Sequence, residues 1–208
     1  MDEELFKLRH STAHVLASAV KELFREAKLA IGPPIEEGFY YDFDFRPFTP
    51  EDIEKIEKKM QDVIDKKLDF IKTKKTKKEA EKILKDEPYK LELLEDLKEG
   101  EITFYTHGTF QDLCKGPHIK NTAEIKAFKL IKVAGAYWKG DAKNKQLQRI
   151  YGTAFPTKKE LTEYLTRLEE AEKRNHIRLA KQLKLFIFQE ESPGSAFFLP
   201  HGTIIYNE

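Results

Sequence analysis

The stretch ITFYTHGTFQDLC, residues 102–114, decides the fold class of this sequence. β-Branched and aromatic residues dominate it, and a glycine separates its two halves, which predicts two short strands joined by a turn. The same composition returns in EIKAFKLIKVAGAYW, residues 124–138, and in LQRIYGTAF, residues 147–155. Together these segments predict one antiparallel sheet or more.

Helical patterns precede these strands. Apolar residues follow helical spacing from residue 4 to residue 29. A further strand is predicted at GFYYDFDF, residues 38–45, where aromatic and acidic side chains alternate. Thr49-Pro50 supplies the cap and the first residue of a second long helix, and shorter helices are predicted from residue 77 and over residues 89–100. The fold class is therefore α+β, with antiparallel sheets and packed helices.

The sequence predicts three segments along the chain. Residues 1–156 form the α+β domain. Thr157 and Glu160 predict a capping box at the start of one long polar linker helix, residues 157–184. Residues 185–208 are unusually apolar and indicate the start of a further, truncated core. We expect the strands of that last segment to be unpaired, and the segment to pack opportunistically or to be partly disordered.

The composition limits the class of protein. The chain has 208 residues and a formal net charge of +1, so a nucleic-acid partner would be held by a local patch. The densest basic cluster is Lys72, Lys74, Lys75, Lys77 and Lys78. It is either a solvated surface or a contact to phosphates. The sequence contains no secretion signal and no run apolar enough to span a bilayer, and its one cysteine excludes an internal disulfide, so we expect a cytoplasmic protein without a membrane partner.

Two residue pairs form the candidate site. His10 and His14 are one turn apart on the first helix and share a face that points away from the leucine stripe. Cys114 and His118 have the same spacing and flank the turn Gly116-Pro117. His10 and His14 are either two surface histidines on a helix or part of one site with Cys114 and His118. That group of four has two interpretations: ligands of a tetrahedral zinc ion, or a metal-free hydrolytic site in which imidazoles act as general base and hydrogen-bond donors.

Asp112 belongs to the same stretch as the cysteine. It lies two residues before Cys114, so both side chains share a face if the segment is a strand. A carboxylate there would orient an imidazole or a water molecule. The alternative is an aspartate that caps a turn.

These pairs and several longer motifs resemble the threonyl-tRNA synthetase family. His-x3-His followed by Cys-x3-His is similar to the motifs of the second additional domain, an editing module that occurs in related form in alanyl-tRNA synthetases. AIGPPIEEGFYYDFD (30–44), DLCKGPHI (112–119) and EESPGSAFFLPHGTIIYNE (190–208) are similar to the threonine type. The last of these resembles the beginning of a class II catalytic core, which precedes the editing module in the alanine enzyme.

The resemblance implies post-transfer editing, the hydrolysis of mischarged Ser-tRNA(Thr) at the aminoacyl ester of the terminal adenosine. The residues that match the family's motifs are the catalytic His10, His14, Lys90, Asp112, Cys114 and His118 and the substrate-binding Tyr41. The implied partner is the acceptor end of tRNA(Thr). The complete ligase would use ATP, magnesium and zinc in a core that this chain mostly lacks and would form a homodimer through it, so we do not expect the chain to aminoacylate tRNA.

For the chemistry, we expect His10, with Asp112 or Lys90, to position and deprotonate a water molecule that attacks the seryl carbonyl. A nucleophilic Cys114 is the alternative. The resemblance favours hydrolysis without a required metal, and zinc held by the two histidine-containing pairs is the other possibility. Two further functions stay open, a zinc-stabilised tRNA-binding module without catalysis and a trans-editing protein of the alanyl type.

Overall fold

The computed structural model describes residues 2–189 and 192–207, apart from the side chains of residues 176 and 192–194; residues 190, 191 and 208 of the C-terminal motif lie outside it. The chain forms two compact units, residues 1–161 and residues 162–208. The described helices are α1 (Glu3–Leu23), α2 (Pro50–Asp65), α3 (Lys77–Ile83), α4 (Pro88–Glu95), α5 (Lys158–Lys173), α6 (His176–Gln182) and α7 (Pro200–Asn207). The described strands are β1 (Lys28–Leu29), β2 (Pro34–Ile35), β3 (Gly38–Asp44), β4 (Ile71–Lys74), β5 (Thr103–His107), β6 (Phe110–Leu113), β7 (Ala127–Tyr137), β8 (Gln146–Phe155), β9 (Phe186–Gln189) and β10 (Ser192–Phe198). None of the described helices is long and apolar enough to cross a membrane.

A five-stranded antiparallel sheet supports the first unit. Its strands follow the order β1, β3, β8, β7, and β2 also pairs with β3. Alternate residues of β3, namely Phe39, Tyr41 and Phe43, are fully buried in the apolar cluster that also contains residues of α1 and α2. The alternating pattern of GFYYDFDF therefore predicted this strand and its buried face correctly.

Helix α1 is buried on all sides over its middle turns, since every residue from Leu8 to Val20 is buried. The interpretation of His10 and His14 as surface histidines is therefore wrong. The helix also ends at Leu23 and not at residue 29. Phe24 adopts the non-helical angles φ −132° and ψ 80°, and residues 28 and 29 pair with β3 instead. The apolar residues Ala27 and Leu29 are buried beside the sheet and do not continue a helical stripe.

A three-stranded sheet, in the order β4, β5, β6, carries half of the site. Lys72 pairs with Tyr105, and Tyr105 pairs with Asp112, so the three side chains project from one face. Cys114 follows two residues later on the same side. On the opposite face, Phe104 packs with residues of α3 and α4.

The fold class is α+β, as predicted, and the helix starts follow the predicted caps. Thr49 Oγ1 accepts the N–H of Asp52 at 3.2 Å, and the Asp52 carboxylate accepts the N–H of Thr49 at 2.9 Å. The helix predicted over residues 89–100 ends at Glu95. Residues 98–100 are exposed, so their side chains add little packing to stabilise another turn.

The polar segment after the first domain consists of two helices. Thr157 and Glu160 form the predicted capping box. One continuous helix over residues 157–184 is wrong, however, because Asn175 ends α5 and caps α6. Its side-chain oxygen accepts the N–H groups of Ile177 and Arg178. Asparagine competes with the helical backbone for hydrogen bonds and so favours a new start over continuation.

The second unit contains a two-stranded sheet. Strands β9 and β10 are antiparallel, with Phe186 opposite Phe198. The N–H of Leu199 donates to the carbonyl of Leu185 at 2.8 Å, next to this pairing. The expectation of unpaired strands over residues 185–208 is therefore wrong for the described residues, since the two strands satisfy each other's backbone groups.

Candidate functional site

The side chains singled out in the sequence lie together in the first unit. They come from α1, β3, α4, and β6 with the turn that follows it, and they are His10, His14, Tyr41, Lys90, Asp112, Cys114 and His118. Because α1 packs beside this turn, residues more than a hundred positions apart become neighbours.

The thiol of Cys114 is the centre of the cluster. Its Sγ lies 3.3 Å from His10 Nε2 and 3.3 Å from His118 Nε2, and it accepts the N–H of Gly116 at 3.2 Å. The ring of His14 lies 4.3 Å from that of His118 between centroids. The two pairs found by their spacing thus converge on one point.

Hydrogen-bond partners assign the protons of these neutral rings. The carbonyl of Pro117 lies 3.1 Å from His10 Nδ1 and can only accept, so Nδ1 carries the proton. His10 Nε2 then presents a lone pair to the thiol, and the S–H donates to it. Since the thiol has one proton, His118 must donate its Nε2–H to Sγ.

Ser11, which no sequence motif placed in the site, completes this network. Its Oγ accepts the N–H of Ile119 at 3.0 Å and lies 3.0 Å from His118 Nδ1. The hydroxyl proton is left to donate to Nδ1, which fixes the tautomer of His118 assigned above. Ser11 is fully buried. A small polar residue between two histidines on a helix was the available signal.

A second polar group lies deeper. Lys90 Nζ is 2.7 Å from Asp112 Oδ1, and the hydroxyl of Tyr41 donates to Asp112 Oδ2 at 2.7 Å. His14 Nε2 lies 3.9 Å from the same Oδ2. The exposed fractions of Lys90 and Asp112 are only 3% and 1%, so the carboxylate depends on these partners for its compensation. Asp112 therefore contacts side chains of the cluster and does not cap a turn.

Burial shifts the pKa values of the cluster toward the neutral forms. It raises the pKa of Cys114 to about 12 and lowers the pKa of His118 to about 2. Burial is also the main cause that lowers the pKa of His10, and it holds the pKa of His14 well below its ordinary value. At neutral pH the site therefore contains a thiol and neutral imidazoles.

The pair His10 and His14 and the pair Cys114 and His118 together also fit a zinc ion. One donor atom from each of His10, His14, Cys114 and His118 lies within 4.8 Å of the others. Thiolate and imidazole are the usual donors to zinc, whose tetrahedral ligand atoms are about 3.3–3.6 Å apart. Among the described residues, Nδ1 of His14 is buried without a hydrogen-bond partner. The donor types and their spacing both suit zinc.

Two cavities border the site. One of 280 Å³ adjoins Cys114 and Lys115. A cleft of 590 Å³ between α1 and the β5–β6 turn reaches Lys90 and Asp112. Tyr41 is fully buried and lines neither of them, and its polar contact is with Asp112. The cleft thus borders the Lys90–Asp112 pair and the smaller cavity borders Cys114, whereas His10, His14 and His118 line neither of them.

His107 is a buried neighbour outside the predicted set. Its ring packs 4.9 Å from Phe70 and 5.2 Å from Phe110, and only 1% of it is exposed. Neither ring nitrogen has a hydrogen-bond partner among the described residues. Burial lowers its pKa to about 4.

The class of domain follows from a match over part of this region. Residues 102–151 match the family model of the "Threonyl and Alanyl tRNA synthetase second additional domain". The matched stretch includes Asp112, Cys114 and His118, whereas His10 and Lys90 lie before it. The chain therefore contains a domain of the type shared by threonyl- and alanyl-tRNA synthetases.

Curated relatives belong to the threonyl branch of this class. The chain is 56% identical to the threonine–tRNA ligase of Clostridium tetani, over 99% of the chain and 33% of that relative. It is 54% identical to the threonine–tRNA ligase of Acetivibrio thermocellus and 53% identical to that of Burkholderia lata, over 96% and 97% of the chain and 32% of each relative. The chain is thus a threonyl-tRNA synthetase homologue that spans about a third of the length of these curated relatives, which confirms the resemblance found in the sequence.

Proposed function

We propose that this chain edits tRNA by hydrolysing the ester that joins a wrongly attached serine to the terminal adenosine of tRNA(Thr). The observation that carries the proposal is the contact between two groups, the imidazole–thiol cluster around Cys114 and the buried Lys90–Asp112 pair. The cluster supplies a proton acceptor, and the Lys90–Asp112 pair supplies a cation. The names of the relatives, threonine–tRNA ligases, supply the tRNA and the amino acid that belongs on it.

The need for such a reaction follows from the chemistry of the two amino acids. Serine lacks one methyl group of threonine, and the loss of one methyl contact gives only about 10- to 200-fold discrimination in a binding pocket. A second site that hydrolyses the serine ester supplies the remainder, provided that the extra methyl keeps the threonine ester out. The correct product is then spared.

His10 is the proposed general base. Its Nδ1–H is held by the Pro117 carbonyl, so the lone pair of Nε2 points into the cluster. A water molecule that takes the place of the thiol as hydrogen-bond donor to Nε2 would transfer a proton to His10 as its oxygen attacks the seryl carbonyl, while the thiol keeps its own proton. Because burial lowers the pKa of His10, the ring is unprotonated at neutral pH and ready to act.

Lys90 is proposed to stabilise the charge that develops on the carbonyl oxygen. Its ammonium is fixed by Asp112 at 2.7 Å and needs no reorganisation during the reaction. The departing ribose oxygen takes a proton from Lys90 or from a protonated histidine of the cluster. The carbon–oxygen ester bond breaks, and serine and uncharged tRNA leave.

Cys114 is proposed to act as a hydrogen-bonding group and not as the nucleophile. A nucleophilic role needs a thiolate, and burial raises the pKa of this thiol to about 12. An aminoacyl ester is reactive enough for direct attack by water. The thiol instead orients His10 and His118.

Zinc is not required in the proposed reaction, since Lys90 already supplies a positive charge. If zinc is bound, His10, His14, Cys114 and His118 would hold it, and it would polarise the ester carbonyl or acidify a water molecule. The test is deacylation by chelator-treated protein with its zinc content measured alongside. We expect full activity without zinc; activity that returns only with added zinc would refute the metal-free reaction.

Three substitutions test the assignment of roles. We expect His10→Ala and Lys90→Ala to reduce the deacylation of Ser-tRNA(Thr) by about 100-fold or more, and Cys114→Ala to retain more activity than either. Full activity of the first two variants would contradict the proposed roles. Circular dichroism of each variant separates loss of chemistry from loss of folding.

The second candidate function is a zinc-stabilised module that binds tRNA without catalysis. The spacing of the four donor atoms favours it. It predicts stoichiometric zinc, tRNA binding and no ester hydrolysis in the assays above. The alanyl type of trans-editing protein has less support, because the relatives that cover 96–99% of the chain are threonine–tRNA ligases. Ser-tRNA(Ala) as a parallel substrate distinguishes it.

The wider architecture is part of the proposal. We assign residues 1–156 to the editing domain, residues 157–184 to a linker and residues 185–208 to the start of a class II catalytic core. In the complete ligase that core would use ATP, magnesium and its own zinc and would form the dimer. The acceptor end of tRNA(Thr) is the proposed partner of the first segment.

A further inference from the structure

The lysine cluster seen in the sequence is divided by the register of β4. Lys72 pairs with Tyr105 and Lys74 pairs with Thr103, so both lysines project from the face of the sheet that carries Asp112 and Cys114. The other three lysines follow the strand, and Lys77 and Lys78 begin helix α3. Only part of the cluster therefore faces the site.

Lys72 is oriented without being neutralised. Its Nζ donates to the carbonyl of Lys115 at 3.1 Å and lies 5.6 Å from the centre of the Tyr105 ring. A carbonyl and an aromatic face attract a cation but carry no net charge. Within the described part of the chain, Lys72 has no carboxylate partner, and its side chain is exposed. The ammonium of Lys72 is therefore held in position without a paired negative charge, and it can bind an anion.

This cation lies beside the reactive cluster. The ring of Tyr105 is 4.3 Å from that of His118 between centroids, so one aromatic ring separates Lys72 from the imidazoles. Burial is the main cause of the low pKa of His118, and the charge of Lys72 acts in the same direction. Lys115 and Pro117, on the turn that Lys72 contacts, are exposed. Lys72 therefore stands where the thiol side of the site meets solvent.

We propose that Lys72 binds a backbone phosphate of the 3′-terminal nucleotides of the tRNA while the aminoacyl ester occupies the site. This inference rests on the proposed editing function. A single-stranded end carries one phosphate for each nucleotide next to the ester-bearing ribose, and an ammonium contacts phosphate regardless of base. Lys74, exposed on the same face two residues further along, extends the cationic edge along the strand.

The experiment compares Lys72→Met with Lys78→Met in the full chain. Methionine keeps the stem that covers Tyr105 and removes the charge. Lys78 is an exposed lysine of the same cluster on α3, so its variant makes the same change of net charge away from the sheet. The measurements are the concentration dependence of single-turnover deacylation of Ser-tRNA(Thr), and the affinity of an uncharged acceptor-stem hairpin ending in CCA at several salt concentrations.

We expect Lys72→Met to weaken hairpin binding and raise the half-saturating tRNA concentration by about fivefold, with little change in the maximal rate. The slope of log affinity against log salt should fall by about 0.7, as for one lost single-strand phosphate contact. Lys72→Arg should restore both values, and Lys78→Met should match the wild type.

Unchanged affinity and salt slope in Lys72→Met, or equal losses in the two methionine variants, would overturn the assignment. The binding measurement with the uncharged RNA hairpin does not depend on catalysis. If the wild type fails to deacylate Ser-tRNA(Thr), the editing proposal fails, while the binding comparison still decides the role of Lys72. Equal melting temperatures of the variants exclude a folding effect.

Discussion

At the scale of single residues, the orientation of His118 depends on a hydroxyl group that lines neither of the two cavities beside the site. Ser11 joins His118 Nδ1 to the backbone N–H of Ile119, at 3.0 Å on each side. Ser11→Ala removes the donor to Nδ1 and leaves the buried N–H of Ile119 unpaired. We expect this change to lower the unfolding free energy by about 1–3 kcal/mol. We expect deacylation to fall by about tenfold, measured as the maximal single-turnover rate.

The control for this prediction is Thr12→Ala, which removes a buried hydroxyl of the same helix that donates to the Leu8 carbonyl at 2.8 Å and lines neither cavity beside the site. It should leave the rate unchanged, and Ser11→Thr, which keeps the hydroxyl, should recover part of the activity. A rate of Ser11→Ala equal to that of the wild type would show that the tautomer of His118 does not matter for the reaction.

His107 makes the stability of the protein depend on pH. Burial lowers its pKa from 6.5 to about 4, so between these values the unfolded chain binds a proton that the folded chain does not. Stability rises with pH wherever the unfolded state binds more protons, and this contribution is therefore lost as the pH falls from about 6.5 to about 4. The loss amounts to about 2 kcal/mol at pH 5 relative to pH 8.

The replacement His107→Leu isolates this term, because it keeps an apolar contact with Phe70 and Phe110 and does not titrate. Urea denaturation at pH 8 and pH 5 should show a smaller loss of unfolding free energy in the variant than in the wild type. Equal losses in both proteins would mean that His107 exchanges its proton freely in the folded state.

Spacing in the sequence identified individual site residues but not their contacts. Histidines four apart share a helix face, and this predicted His10 and His14 as a pair. Lys90 and Tyr41 carry no local pattern that marks them, and only the family resemblance indicated them. The role of Ser11 follows from the approach of the turn at Ile119 to α1, a tertiary contact that local spacing does not encode.

At the scale of elements, one buried ion pair joins α4 to β6. Lys90 and Asp112 are 2.7 Å apart and nearly inaccessible, and removal of one partner leaves a buried charge uncompensated. We expect Lys90→Met to reduce the unfolding free energy by about 3–5 kcal/mol, measured by urea denaturation.

A second substitution provides the matched comparison. Lys90→Met combined with Asp112→Asn removes both charges, and we expect it to be more stable than Lys90→Met alone, while both variants lack deacylation activity. If the double variant is less stable than the single one, the carboxylate is compensated by Tyr41 alone and the ion pair does not connect the two elements energetically.

Helix starts were easier to predict than helix ends. Thr49 and Thr157 are followed three residues later by an acid, a local signal that the backbone obeys in both cases. Helix α1 ends at Leu23, and the polar segment breaks at Asn175, because another interaction competes with continuation of the helix at each place. Burial beside β3 decides the first, and a side-chain cap decides the second. The apolar pattern therefore placed the end of α1 incorrectly, and the polar composition after Thr157 did not reveal the break at Asn175.

At the scale of the whole molecule, the proposed chemistry belongs to the first unit. All the described contacts of the candidate site lie within residues 1–161, which form a compact unit with their own apolar clusters. We expect a protein of residues 1–161 to unfold in one cooperative transition and to retain the deacylation rate of the full chain within about twofold.

Calorimetry and the deacylation assay on the two proteins test this expectation. An unfolded or inactive shorter protein would show that the assignment of function to the first unit is wrong. Sequence patterns indicated the division because polar and apolar segments follow residue 156. They did not show that β9 and β10 pair with each other, since the register of two apolar strands depends on their mutual packing.

The most direct test of the account is the hydrolysis of two esters by the same protein. Purified chain is mixed with Ser-tRNA(Thr) or with Thr-tRNA(Thr), and the remaining aminoacyl-tRNA is measured over time, with His10→Ala as the control. We predict rapid loss of the serine ester and little loss of the threonine ester with the original protein. With His10→Ala we predict no hydrolysis of either ester above the uncatalysed rate. No hydrolysis of Ser-tRNA(Thr) above the uncatalysed rate, or equal hydrolysis of both esters, would contradict the central claim that this site edits by excluding one methyl group.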